Sequence, residues 1–215
     1  MGALALGAAF AASWVLTAEY TTEQTVERTF VIDEDFTKVR KIMVRTNATK
    51  EIMTMGGTSE FVEQKWEEGT INTGAENIGE ALLKTVFSAD PNWKLELHGI
   101  LKVRTLDDYV GREVVTLNQN VEISPNEIDS VSKLEEGSER LKGYELTTIL
   151  EREEDHTRID LKLTQKIKTH APWFAHRIAD RRVRESAAKS IEKQEQAMIQ
   201  LINDNKDKSW LLPLN

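Results

Sequence analysis

The chain contains no cysteine. Disulfides, thiolate nucleophiles and thiolate metal sites are excluded together, while the redox compartment stays open. Histidine is scarce as well. His98, His156, His170 and His176 are the only four. The last two stand six apart, which is not the i, i+4 spacing of a helical metal pair. No carboxylate sits at a telling offset beside them, so neither a metal site nor a cofactor is expected. Glycine-rich phosphate loops and serine nucleophile elbows are missing too; Gly56 and Gly57 stand alone as a helix end. Positive charge is in deficit. With a formal net charge of -8 and a pI ≈ 5.2, the chain lacks the basic footprint of a nucleic-acid binder. A solvated acidic surface is the simple consequence.

What remains is an ordinary globular mixture, with 40% hydrophobic and 30% charged residues. At 215 residues the chain can build one sizeable core but is short for two full domains. Three segments follow from composition: 1–18, 19–205 and 206–215. The first is free of charge and almost wholly apolar. An uncleaved membrane anchor, a cleaved signal and a buried helix are all open readings, with the anchor ahead. The basic n-region of a signal is missing, and the length sits at the lower limit for a span. Trp14 and Tyr20 suit an interface. Glu19 and Glu23 follow the segment, and no Lys or Arg comes before Arg28, so an extracytoplasmic domain is expected. Its removal should leave a folded domain beginning near Glu19. The last segment carries Trp210, Leu211, Leu212 and Leu214 behind Lys206, Asp207 and Lys208. An exposed apolar patch of that kind normally marks a contact; packing back on the body and contact with a membrane or partner are both open, with the latter ahead.

Between these ends the periodicity changes twice. Tyr20 to Ile32 is extended, with Val26, Arg28, Phe30 and Ile32 on one parity. Asp33 reads as a helix start, and Phe36, Val39 and Ile42 follow at helical spacing. Thr46 or Asn47 is a break, and 48–55 a second short helix closed by Gly56 and Gly57. Asn47, Ala48 and Thr49 form a glycosylation sequon of little weight by itself. Glu60 to about Glu68 is a strand with Val62, Gln64 and Trp66 on one face. Residues 69–91 form an insertion without a clean period. Strict alternation then runs through 93–104, 113–123, 144–150 and 157–168, with a more polar strand at 128–134. No βαβ alternation accompanies these strands, so the sheet is antiparallel. The chain ends in a long helix from Pro172 to about Asn205. Its apolar stripe is Phe174, Ile178, Val183, Ala187, Ile191, Met198, Leu201 and Ile202.

That order of elements resembles the START/polyketide-cyclase-like (SRPBCC, helix-grip) superfamily. The resemblance rests on extended Val26 to Ile32, the helix with Phe36, Val39 and Ile42, the second helix ending at Gly56 and Gly57, and the long helix from Pro172. It covers about Tyr20 to Asn205. It implies an α+β helix-grip fold, with a curved antiparallel sheet wrapped around a long C-terminal helix and two short helices after the first strand. In that superfamily the cavity between sheet and helix binds lipids, polyketides, hormones or other apolar molecules. A minority of members are cyclases or other enzymes, and some bind proteins.

The residues that carry a ligand-binding reading are polar groups on inward parities. Arg28, Gln64, Gln119, Thr148 and Gln165 each share a face with apolar neighbours. A sealed core disfavours them, because an unpaired buried polar group costs roughly 1–3 kcal/mol. A ligand cavity uses a few among apolar walls. Trp66 shares the face of Gln64, and Ala187 and Ile191 supply the helix side. On this reading Ala187→Trp blocks uptake of an apolar probe and leaves the fold nearly intact. Strand ends and bulges are the plain alternative, since either brings such residues to water. Arg177, Arg181 and Arg184 recur at i, i+4 and i+7. A solvated helix face is the simpler account of them, and contact with anionic headgroups the other. The expected function is a non-catalytic, membrane-tethered module binding a lipid or other apolar small molecule. A cyclase-like enzyme using the same cavity and a protein-binding module are the alternatives. The sequence does not set the oligomeric state.

Overall fold

The computed structural model describes residues 18–67, 93–107 and 110–208. The expectations placed on the apolar segment before Ala18, on the 69–91 insertion and on Trp210, Leu211, Leu212 and Leu214 lie outside these residues. Among the described residues, no helix is long and apolar enough to cross a membrane.

Alternating side chains produce the sheet. Strand β1 spans Glu19–Ile32, β2 Ser59–Glu67, β3 Leu95–Thr105 and β4 Val114–Ile123. Strands β5 (Glu127–Glu136), β6 (Leu141–Glu153) and β7 (His156–His170) complete it. The seven lie in the order β1-β7-β6-β5-β4-β3-β2, and every pairing is antiparallel. On β7, Thr157, Ile159, Leu161, Leu163, Gln165 and Ile167 are buried. Their odd parity faces the helices, as an antiparallel sheet wet on one side requires.

Helices α1 (Phe36–Arg45) and α2 (Ala48–Gly56) fill the connection between β1 and β2. The cap of α1 is Asp35, two residues later than the Asp33 that the sequence suggests. Its carboxylate accepts from the backbone N–H of Thr37 at 2.8 Å and of Lys38 at 3.4 Å, satisfying free donors of the first turn. Helix α2 ends where Gly57 turns left-handed at φ 60, a conformation that costs glycine little. The last helix opens as a 3-10 turn at Trp173–Ala175 and runs on as α3, His176–Asn205. It packs on β1 and β7 with α2 beside it. Val183, Ala187, Ile191, Met198, Leu201 and Ile202 are buried there, whereas Phe174 and Ile178 are exposed. The stripe is therefore shorter than its periodicity suggests, because Phe174 and Ile178 lie on the side of the helix opposite Val183 and Ala187.

A bulge corrects a second parity. Phe61 pairs with Val103 and Glu63 with Lys102, leaving Val62 as the extra residue. Phe61 turns towards the core and Val62 is exposed. Gln64 and Trp66 share a parity with Val62 in sequence, but not its face in space. The sequence also gives no sign of Arg40, a buried cation on α1. Its guanidinium lies 4.9 Å from the ring centroid of Trp93 and donates to the Ser124 carbonyl at 3.1 Å, fixing α1 to the sheet.

Candidate functional site

Cross-strand register builds one wall of the site. Trp66 lies opposite Gly99, Gly99 opposite Gln119, Gln119 opposite Ser132, and Ser132 opposite Leu146. The next row runs Leu97, Val121, Ser130 and Thr148, and the one after it Leu95, Ile123, Ile128 and Leu150. Helix α2 stands off from this surface, and the space between them is a cavity of about 360 Å³. Met43 and Val44 of α1, Thr49, Ile52 and Met53 of α2 and Gln194 of α3 close it. The wall is predominantly apolar, with polar side chains interspersed among the aliphatic and aromatic ones. That volume falls inside the ~300–1,000 Å³ range of small-molecule pockets.

Gly99 has a local reason. A Cβ there would stand 2.5 Å from the Lys65 carbonyl oxygen and 2.7 Å from the Trp66 ring. Only a residue without one lets the indole lie against the sheet and form part of the wall.

Three of the polar groups here are linked in a chain. Gln64 donates through Nε2 to Oε1 of Gln119 at 2.7 Å. Gln119 in turn donates through Nε2 to the hydroxyl of Thr49 at 3.4 Å. The chain of amides ties β2, β4 and α2 together across the cavity. Gln119→Leu leaves the Gln64 amide without its acceptor, at a cost of roughly 1–3 kcal/mol. Adding Gln64→Met should recover most of that loss in urea unfolding, because no orphaned amide remains. Equal destabilisation by the single and double variants would show that the pair is not coupled.

Tyr144 is the titratable side chain among the described residues of the lining. Burial pushes its phenol up to about 12, because the phenolate would lose its hydration. The folded pKa thus exceeds the ordinary value of about 10. The stability linked to this group is complete below about pH 10 and is lost as pH rises towards 12. Tyr144→Phe should flatten that alkaline decline in urea melts, and the difference spectrum against the parent should show a phenol titrating late. A normal midpoint for Tyr144 would contradict its burial.

The residues expected to bind ligand divide between two places. Trp66, Gln119 and Thr148 are on the cavity wall, and Gln64 sits behind Gln119. Arg28, Gln165, Ala187 and Ile191 are elsewhere. Arg28 faces inward by parity but pairs with Glu195 on α3, and its side chain is 45% exposed. Gln165 is buried on β7, with Oε1 unpartnered among the described residues. Ala187 and Ile191 belong to a continuous apolar core with Ile159, Leu161 and Leu163. The reason is the same for all four. Helix α3 presses on β1 and β7 and fills that half of the sheet, so the open space lies over β3 to β6 under α2. The sequence reading did not pick out Ser130 and Ser132, which share the parity of Ile128 and Leu134, nor the α2 residues. Parity held the signal for the serines; nothing in the sequence showed that α2 would stand clear of the sheet.

No protein-family model matches the chain, and no curated protein matches it. Solved structures do. A protein of unknown function from Staphylococcus aureus is 8% identical over 87% of this chain and 98% of its own, with a TM-score of 0.52. A START superfamily protein from Mycobacterium smegmatis, 12% identical, matches 84% of this chain and 97% of its own at a TM-score of 0.45. The Zhui aromatase/cyclase from Streptomyces is 14% identical over 86% and 94% at 0.42. The chain has the helix-grip fold. The sheet curves around α3 with two short helices after the first strand, as the superfamily resemblance implies.

Proposed function

We propose that this helix-grip domain binds a lipid or other apolar small molecule in the cavity under α2, without converting it. The carrying observation is the composition of the wall: apolar rows interrupted by Gln119, Ser130, Ser132, Thr148 and the Tyr144 hydroxyl. Apolar surface supplies the driving force and the few polar groups orient one end of the ligand. Acid–base catalysis needs a group whose pKa lies near the working pH. Among the described lining residues only Tyr144 titrates, and burial moves it away from neutrality. That observation favours binding over the cyclase alternative. The charge-free segment 1–18 supports the remainder of the proposal, a membrane tether with the domain outside the cytoplasm.

Native mass spectrometry of the gently purified full chain should show a co-purified apolar molecule. Titration with N-phenylnaphthylamine should give saturable uptake at one site per chain. Absence of both a retained molecule and probe uptake would falsify the binding reading.

A further inference from the structure

Three large apolar side chains stand in water at the start of the last helix. Trp173 is 77% exposed, Phe174 62% and Ile178 45%. Trp173 and Phe174 meet edge to face, ring centroids 5.8 Å apart, and Ile178 follows Phe174 by one helical turn. The 3.6-residue period puts Phe174, Ile178 and Arg181 on the side of the helix opposite buried Val183 and Ala187. That face cannot reach the core. Arg177 and Arg184, at i and i+7 with Arg181 at i+4, are exposed on the flank of that face. Arg181 has Glu185 at 3.8 Å; among the described residues Arg177 and Arg184 have no ion-pair partner. In a chain of net charge -8 this sets two unpaired arginines and one paired one beside an apolar centre.

A second observation concerns the path of the chain. The Ala171 N–H donates to the Ala18 carbonyl at 3.0 Å. Tyr20 stacks on His176 with ring centroids 3.7 Å apart, and its hydroxyl donates to Asp180 at 2.8 Å. Residues 18–20 are thereby fixed beside 171–180. The preceding residues 1–17, which carry no charged side chain, join the described fold at the border of the Trp173 patch.

We propose that this patch is the surface on which the folded domain rests against an anionic lipid bilayer. Trp173, Phe174 and Ile178 enter the interfacial layer, where indole rings are favoured. Arg177, Arg181 and Arg184 meet the lipid phosphates. The inference deepens the tethering part of the proposed function and is independent of the cavity. It gives the domain one orientation, because the tether and the patch share one edge of the fold.

The test uses the full chain with phosphatidylcholine vesicles, with and without phosphatidylglycerol, some carrying brominated acyl chains. Bromolipid should quench a component of tryptophan emission in the parent that is missing in Trp173→Ala. Arg177→Gln, Arg181→Gln and Arg184→Gln together should lower affinity for the anionic vesicles by roughly 10- to 100-fold and leave phosphatidylcholine binding unchanged. Added salt should have the same selective effect. Equal quenching of the parent and Trp173→Ala overturns the proposal. So does shielding of Trp173 from acrylamide without vesicles, because residues 1–17, a second copy or another protein would then cover the patch. The tether reading fails separately. A protein that binds only anionic vesicles with Trp173 quenched keeps the patch and loses the tether. Binding to both vesicle types without Trp173 quenching keeps the tether and loses the patch.

Discussion

Ala187→Trp should destabilise the domain by at least ~3 kcal/mol, the upper end of ordinary overpacking. For a chain of this size that corresponds to a fall of roughly 6–12 °C in melting temperature. Ala187 is 0% exposed and lies in the apolar core against the β7 side chains Ile159, Leu161 and Leu163. Interiors of this kind are close-packed, so an indole has no room without moving α3 off the sheet. The sequence reading placed Ala187 on the cavity wall and expected the opposite result, an intact fold with blocked uptake. Thermal unfolding followed by circular dichroism distinguishes the two. An unchanged melting temperature with loss of probe uptake would put the free space beside α3 after all.

The difference shows which physical levels sequence alone reaches. Period-two alternation on β3 and β7 is a local property, and the faces it assigns are the ones observed: Leu97, Leu101, Leu161 and Leu163 are all buried. The order of elements was legible for the same reason, since each element carries its own period. The bulge at Val62 was not, because one inserted residue leaves the composition unchanged while reversing parity. Nor was the position of the cavity. Inward parity is necessary for a wall residue but does not separate a filled half of the sheet from an open one. Gln119 and Gln165 look alike in sequence, each an amide among aliphatics. What separates them is the helix facing them, α2 in one case and the α3 side of the sheet in the other. The exposed Phe174 and Ile178 were misjudged on related grounds. Near-helical spacing named them as part of the stripe, but they fall on the face opposite Val183 and Ala187, and the buried stripe starts at Val183.

Ser130→Trp should do what Ala187→Trp cannot. Ser130 lies on the central strand β5, opposite Val121 on one side and Thr148 on the other, and its side chain borders the cavity. An indole at this position projects into open space, so the core around β7 and α3 is untouched. Burying added apolar surface against Leu97 and Leu146 offsets the loss of the hydroxyl. The melting temperature should therefore stay within a few degrees of the parent, while affinity for an apolar probe falls at least ~10-fold, equivalent to about 1.4 kcal/mol of lost binding free energy. Ser130→Ala is the companion variant, removing the hydroxyl without filling the space, and it should retain uptake. Parent-like binding by Ser130→Trp would mean that the probe sits elsewhere on the protein. A large drop in stability would mean that the space over β5 closes in solution, and the binding proposal would lose its site.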